Sequence, residues 1–122
     1  HNWSSSEELL FLNSIDIGIM PLNLNDFNNG KCGFKLIQYM AMGKATISTP
    51  LEANVKINRH NNNLFANNNK EWIDSLNYFI LNNNKINIVG SQNLEIVKKY
   101  YCVESNFSTY TNLFKKILDV RN

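Results

Sequence analysis

Gly30, Lys31, Cys32, Gly33, Phe34 and Lys35 stand in one unbroken run, and the residues after it, Leu36 to Met42, have helical spacing. A helix start has unpaired N–H groups and the positive end of the helix dipole, so it attracts anions. Gly30 and Gly33 let backbone come close to a ligand. Lys31 and Lys35 add positive charge at the same place. A diphosphate is the ligand these parts match best. The run is not a full phosphate loop of the type G-x-x-x-x-G-K-[ST]. Glycines ahead of a helix also serve simply to turn the chain, and the residues alone leave both readings open.

Other chemistry-bearing residues are sparse. The two cysteines, Cys32 and Cys102, are too few for a disulfide-stapled secreted domain and read as reduced thiols. Cys32 precedes a helix start, where a thiol pKa can fall, but an ordinary free thiol is the simpler reading. His1 and His60 are isolated, no Cys/His cluster has metal-ligand spacing, and no metal or cofactor is expected. Glu52 and Asn54 follow a strand end and are weak candidates for ligand contact. Asp16 opens a strand, where it is expected to bond nearby backbone. Trp3 and Trp72 sit on or beside amphipathic helices and read as core or staple residues rather than sugar platforms. Tyr100 and Tyr101 read as packing at a helix junction, and Lys115–Lys116 as a solvated helix face. No general base stands out, so no catalytic residue is assigned.

These residues must be positioned by the elements around them. "SSSEELLFLNS" reads as a helix, with Ser4–Glu7 or Ser5–Glu8 as a capping box and Leu9, Leu10 and Leu12 as its apolar side. "IDIGIM" is a short apolar strand ended by Pro21, and Asn-rich loop runs from there to Cys32. A helix follows from Gly33 to Met42, with Leu36, Ile37, Met40 and Ala41 as its stripe and Gly43 as its stop. "ATIST" is a second strand, Ala53 to Ile57 a helical turn, and "LFA" a third, very short strand. Beyond it the chain reads as helical. Trp72, Ile73, Leu76, Phe79 and Ile80 share one face, "LEIVKKYY" is a further helix, and Phe107, Tyr110, Leu113, Phe114, Ile117 and Leu118 stripe the last. The asparagine runs at 61–63, 67–69 and 82–84 read as loops and helix ends. The fold class is therefore α/β: a partial Rossmann-like parallel sheet with flanking helices over residues 1–66, and a helical part over 67–122. Ligands of such sheets bind beyond the carboxyl ends of the strands, which is where the loop from Pro21 to Cys32 leaves.

The 122 residues suit one domain, and the 43% apolar share is ordinary for a globular protein. A net charge of +2 with both signs interspersed argues against a nucleic-acid partner. No apolar run approaches the roughly 18 residues of a membrane span. "HNWSSSEELL" has neither the charged start nor the apolar core of a signal peptide, and the reading of both cysteines as reduced thiols makes a cytoplasmic location the expectation.

"DIGIMPL…GKCGFKLIQYMAMGKATIST" resembles the donor-binding half of the C-terminal domain of GT-B-fold glycosyltransferases, above all the retaining family 4, many of whose bacterial members build polysaccharides and the cell envelope. "LFA" and "EWIDSL" resemble later segments of that family, and the likeness extends to about Tyr101. It implies a nucleotide-sugar donor, transfer to a glycan or lipid-linked acceptor with retention, no metal, and a place at the inner face of the membrane. The family carries two glutamates, one toward the donor sugar and one toward the ribose. Gly30 and Gln38 stand at those positions. Gln38 retains an amide for a ribose hydroxyl, while Gly30 offers the sugar no side chain. Gly33 falls on the family glycine, so the N–H groups of Phe34 and Lys35 inherit the donor-phosphate contacts. The wording "GKCGFK" resembles members in which lysines and glycines replace the first glutamate, which implies a changed donor preference. The likeness lacks the portion with the basic pair that neutralises the diphosphate, and the acceptor-binding N-terminal domain. The expectation is thus a fragment, inactive alone, with the strand at 15–20 exposed as an edge and available for self-association. The alternative is a non-catalytic α/β interaction or assembly module.

Overall fold

The computed structural model describes residues 4–119. Trp3, expected to pack or to staple a helix, lies outside the described residues. The order is α1 (Ser5–Ser14), β1 (Ile17–Met20), α2 (Asp26–Asn29), α3 (Phe34–Ala41), β2 (Ala45–Ser48), α4 (Glu52–Ile57), β3 (Leu64–Phe65), α5 (Asn69–Leu81), α6 (Asn83–Tyr100) and α7 (Val103–Asp119). The strands form a three-stranded parallel sheet in the order β1-β2-β3, as the alternation of elements predicts. Ile17 pairs with Ala45, Met20 with Ser48, and Ser48 in turn with Phe65.

Alternation along the strands divides the core into two clusters. Gly18 and Met20 of β1 share a face with Thr46 and Ser48 of β2. On it Met20 packs with Leu36 and Met40 of α3, Ile57 of α4, and Ile96 and Val97 of α6. Gly18 is required there: a Cβ would lie 2.3 Å from the Tyr39 ring. Ala45 and Ile47 point the other way and meet Ala66, Phe79 of α5 and Val89 of α6. α6 joins the two clusters by passing the amino end of β2. At that crossing a Cβ on Gly90 would stand 2.0 Å from the Gly43 carbonyl oxygen, so only glycine permits it.

Several sequence expectations are corrected. α1 starts from Ser4 as read, with the Ser4 carbonyl accepting the Glu7 and Glu8 N–H groups at 3.1 and 3.0 Å. Of its expected apolar side only Leu12 is buried, while Leu9 and Leu10 are exposed. On α3 Leu36 and Met40 are buried, but Ala41 is exposed. On α5 Phe79 is buried and Trp72 and Leu76 half-buried, whereas Ile73 and Ile80 face solvent. The loop after Pro21 contains α2, and α6 begins at Asn83, ahead of the helix read over "LEIVKKYY", with the run at 82–84 forming the junction of two helix ends as read. Asp16 is exposed and makes no hydrogen bond with the described residues. The stripe of α7 is present, yet none of its side chains is buried. Tyr100 and Tyr101 pack against the first cluster as expected, with the Arg59 guanidinium 4.0 Å over the Tyr100 ring.

Candidate functional site

α3 leaves the loop that follows β1 and returns the chain to the start of β2, so its first turn lies at the carboxyl ends of the strands. The loop is fastened there by Thr49, whose hydroxyl accepts from the Leu22 N–H at 2.9 Å and donates to the Leu22 carbonyl at 2.7 Å. Gly33 is the N-cap of α3 with a left-handed φ of 69°. A Cβ at this position would meet Ile57 Cδ1 at 2.6 Å and Asn54 Oδ1 at 2.9 Å, so the glycine is needed for both conformation and space. The first intrahelical bonds run from Leu36 and Ile37 to the Gly33 carbonyl. Among the described residues nothing accepts from the N–H groups of Phe34 and Lys35, the pair that the anion reading requires.

The other expected site residues are distributed around this turn. Gly30 caps the carboxyl end of α2 in ordinary right-handed backbone with φ of −73°. Lys31 is exposed, its ammonium 5.3 Å over the Phe27 ring. Phe34, Lys35 and Cys32 are exposed, and both cysteines are free thiols. Gln38 lies one turn further on, and its amide donates to Glu8 Oε1 of α1 at 3.2 Å. Lys35, Gln38 and Tyr39 there line a groove of about 720 Å³ against α1, walled opposite by Glu7, Glu8 and Phe11. The carboxylates oppose a diphosphate inside that groove, so the place for an anion is over the exposed first turn. Burial in the same region pushes the Tyr39 phenol up.

Glu52 and Asn54, at the start of α4, are engaged by protein groups. Lys56 pairs with Glu52 at 2.6 Å and, by that bond and its charge, holds the carboxyl below its usual range. Asn54 is fully buried and donates to the Thr49 carbonyl at 2.9 Å, and among the described residues nothing donates to its Oδ1. It positions the Gly33 turn from below and cannot reach a ligand.

A second concavity escaped the sequence reading. Beyond the carboxyl ends of β1 and β3 lies a cavity of about 340 Å³ lined by Pro21, Leu22, Asn23, Asn28, Asn67, Asn68, Asn69 and Trp72. Asn28 is buried, donating its side-chain amide to the Asn23 carbonyl at 2.8 Å. Asn68 caps α5 by accepting the Glu71 N–H at 3.0 Å, while Glu71 accepts the Asn67 N–H at 2.7 Å. Trp72 packs on the second core cluster, is half-buried and lines the cavity. The signal in the sequence was an aromatic three residues into a helix that starts at a strand's carboxyl end.

Other asparagines are structural. Asn63 and Asn93 exchange amide hydrogen bonds of 2.7 Å, Asn63 also accepts the Thr46 N–H at 3.1 Å, and Asn93 donates to the Lys44 carbonyl at 2.8 Å. This buried network lies at the amino end of β2, opposite the candidate site.

No family model matches the chain, and neither a curated protein nor a solved structure does. Among the described residues no group of His, Cys, Asp and Glu is placed to hold a metal ion, and no helix is long and apolar enough to cross a membrane.

Proposed function

We propose that the chain is the donor-binding part of a glycosyltransferase, holding a nucleoside-diphosphate sugar at the start of α3. The observation that supports this reading is the pair of open N–H groups on Phe34 and Lys35, presented by left-handed Gly33 at the carboxyl end of a parallel sheet. Lys31 and Lys35 supply charge beside them. The role is electrostatic: the N–H groups and ammonium ions favour the diphosphate as it gains charge on leaving. Transfer itself needs an acceptor site and belongs to the larger enzyme. Gln38 serves a ribose hydroxyl only after exchanging its bond to Glu8. Titration of the isotopically labelled protein with uridine and guanosine diphosphates tests the reading. Saturable shifts of the Gly33 to Gln38 amides are expected at millimolar ligand. Amides that stay still with both nucleotides overturn it.

A second reading, an interaction module, draws on different surfaces. β1 is an edge strand with Ile19 46% exposed, and α7 carries an uncovered apolar stripe. A chain that associates through these surfaces while ignoring both nucleotides is such a module.

A further inference from the structure

We propose that the cavity between the ends of β1 and β3 is a binding site for a neutral pyranose ring, stacked on Trp72 and hydrogen-bonded by the surrounding asparagines. The inference is independent of the diphosphate reading, since it uses other residues.

The lining decides the ligand class. None of the eight lining residues is ionisable, so a charged ligand finds no counter-ion there. The polar groups are amides, each offering a carbonyl acceptor and two N–H donors, which suits a ligand whose hydroxyls both give and take. Most of that capacity is unspent. Among the described residues the side chains of Asn23, Asn67 and Asn69 form no hydrogen bond, and Asn28 donates its side-chain amide to the Asn23 carbonyl while nothing donates to its Oδ1. The indole N–H of Trp72 likewise has no protein acceptor among the described residues. Trp72 is half-buried, packs on the core and lines the cavity, and its indole is the one rigid apolar plate of the lining for the C–H face of a sugar ring. At about 340 Å³ the cavity is near the small end of the roughly 300–1,000 Å³ seen for ligand sites, which favours a single ring over a nucleotide. The wall is also fixed in place, because Asn68 and Glu71 lock the first turn of α5 and Asn28 locks the loop after Pro21.

The experiment follows the Trp72 indole and asparagine side-chain amides by nuclear magnetic resonance during titration with glucose, galactose, N-acetylglucosamine and uridine. Saturable shifts with at least one of the three sugars, at a Kd on the order of 1–10 mM, are expected. Trp72→Phe keeps a ring and is expected to bind within about threefold, whereas Trp72→Ala weakens binding by roughly tenfold or more. Trp72 also touches the core, so Asn23→Ala, in an exposed loop, is the second variant: it leaves the fold intact and weakens binding about threefold to tenfold. No saturable shift with any sugar, sugar binding that ignores both Trp72→Ala and Asn23→Ala, or a response to uridine alone overturns the proposal. The two readings fail separately. Sugar shifts at Trp72 without nucleotide shifts at Gly33 to Gln38 remove the donor reading only, and the converse removes the pyranose site only.

Discussion

Gly30 and Gly33 stand three positions apart in the same polar run, yet the structure gives them different work. Gly33 has φ of 69° with Ile57 and Asn54 packed against it, while Gly30 is right-handed with its nearest neighbour 3.5 Å from a built Cβ. Gly33→Ala must therefore bear left-handed strain of about 1–2 kcal/mol and a packing clash of about 1–3 kcal/mol. A loss of roughly 2–4 kcal/mol is expected in urea unfolding, against less than about 0.5 kcal/mol for Gly30→Ala. Equal effects of the two substitutions would contradict the assigned backbone. The residues alone showed that glycine mattered in this stretch but not which one, and only the resemblance singled out Gly33, because the deciding atoms belong to α4, far along the chain. The asparagine runs lie in loops and at helix ends as read, but the partners of individual asparagines were hidden for the same reason. Asn63 and Asn93 are thirty residues apart and bond to each other, a pairing no local pattern announces. A run of Asn looks like loop whether its amides face water, cap a helix, seal a core or line a cavity.

At the level of elements the strands and α3 were legible because short apolar runs and a stripe bounded by glycine carry local signals. α6 was half legible. Its carboxyl half, from Leu94, has an apolar pattern, but Asn83 to Asn93 contains asparagines and Gly90, all weak helix formers. Tertiary packing overrides them: Val89 closes one core cluster, Ile96 and Val97 the other, and Gly90 lets the helix pass the turn at Gly43. Elsewhere in an exposed helix, Gly→Ala stabilises by up to about 1 kcal/mol through propensity. Gly90→Ala is expected to reverse that sign. Its Cβ would stand 2.0 Å from a backbone oxygen, which cannot rotate away as a side chain can. A fall in stability of at least roughly 2 kcal/mol, with slower-protected amides in α6 becoming fast in hydrogen exchange, is the expected outcome. A stabilised Gly90→Ala would mean that α6 does not cross β2 at this residue. The candidate site shares this split legibility. Its α3 half was visible in the motif, whereas the cavity at Trp72 exists only because β1 and β3 end on the same side of the sheet.

For the whole molecule the unbalanced quantity is apolar surface. α7 repeats Val103, Phe107, Tyr110, Phe114 and Ile117 at alternating steps of four and three, the spacing of a helix–helix seam. Their exposures are 77, 64, 61, 62 and 48%, and Leu113 and Leu118 widen the stripe at 52 and 61%. Aromatic side chains that open present on the order of 100 Å² each. The stripe thus approaches the ~800 Å² per partner of a standard stable interface. A single stripe along one helix is self-complementary in a two-fold pair, so the interaction module of the second reading would take a second copy of the chain there. Mass action then sets the test: between about 1 and 200 μM the sedimentation profile should move from monomer toward dimer. Phe114→Glu and Ile117→Glu, on exposed positions, should return the monomer at every concentration with the melting temperature of the monomer little changed, since neither side chain contributes to the two core clusters. Association that survives both substitutions would move the interface to the open edge of β1, where the short strand Ile17–Met20 is guarded only by Asp16 before it and Pro21 after it. A lone monomeric boundary across the range would show that the stripe stays solvated, and the interaction-module reading would lose its support.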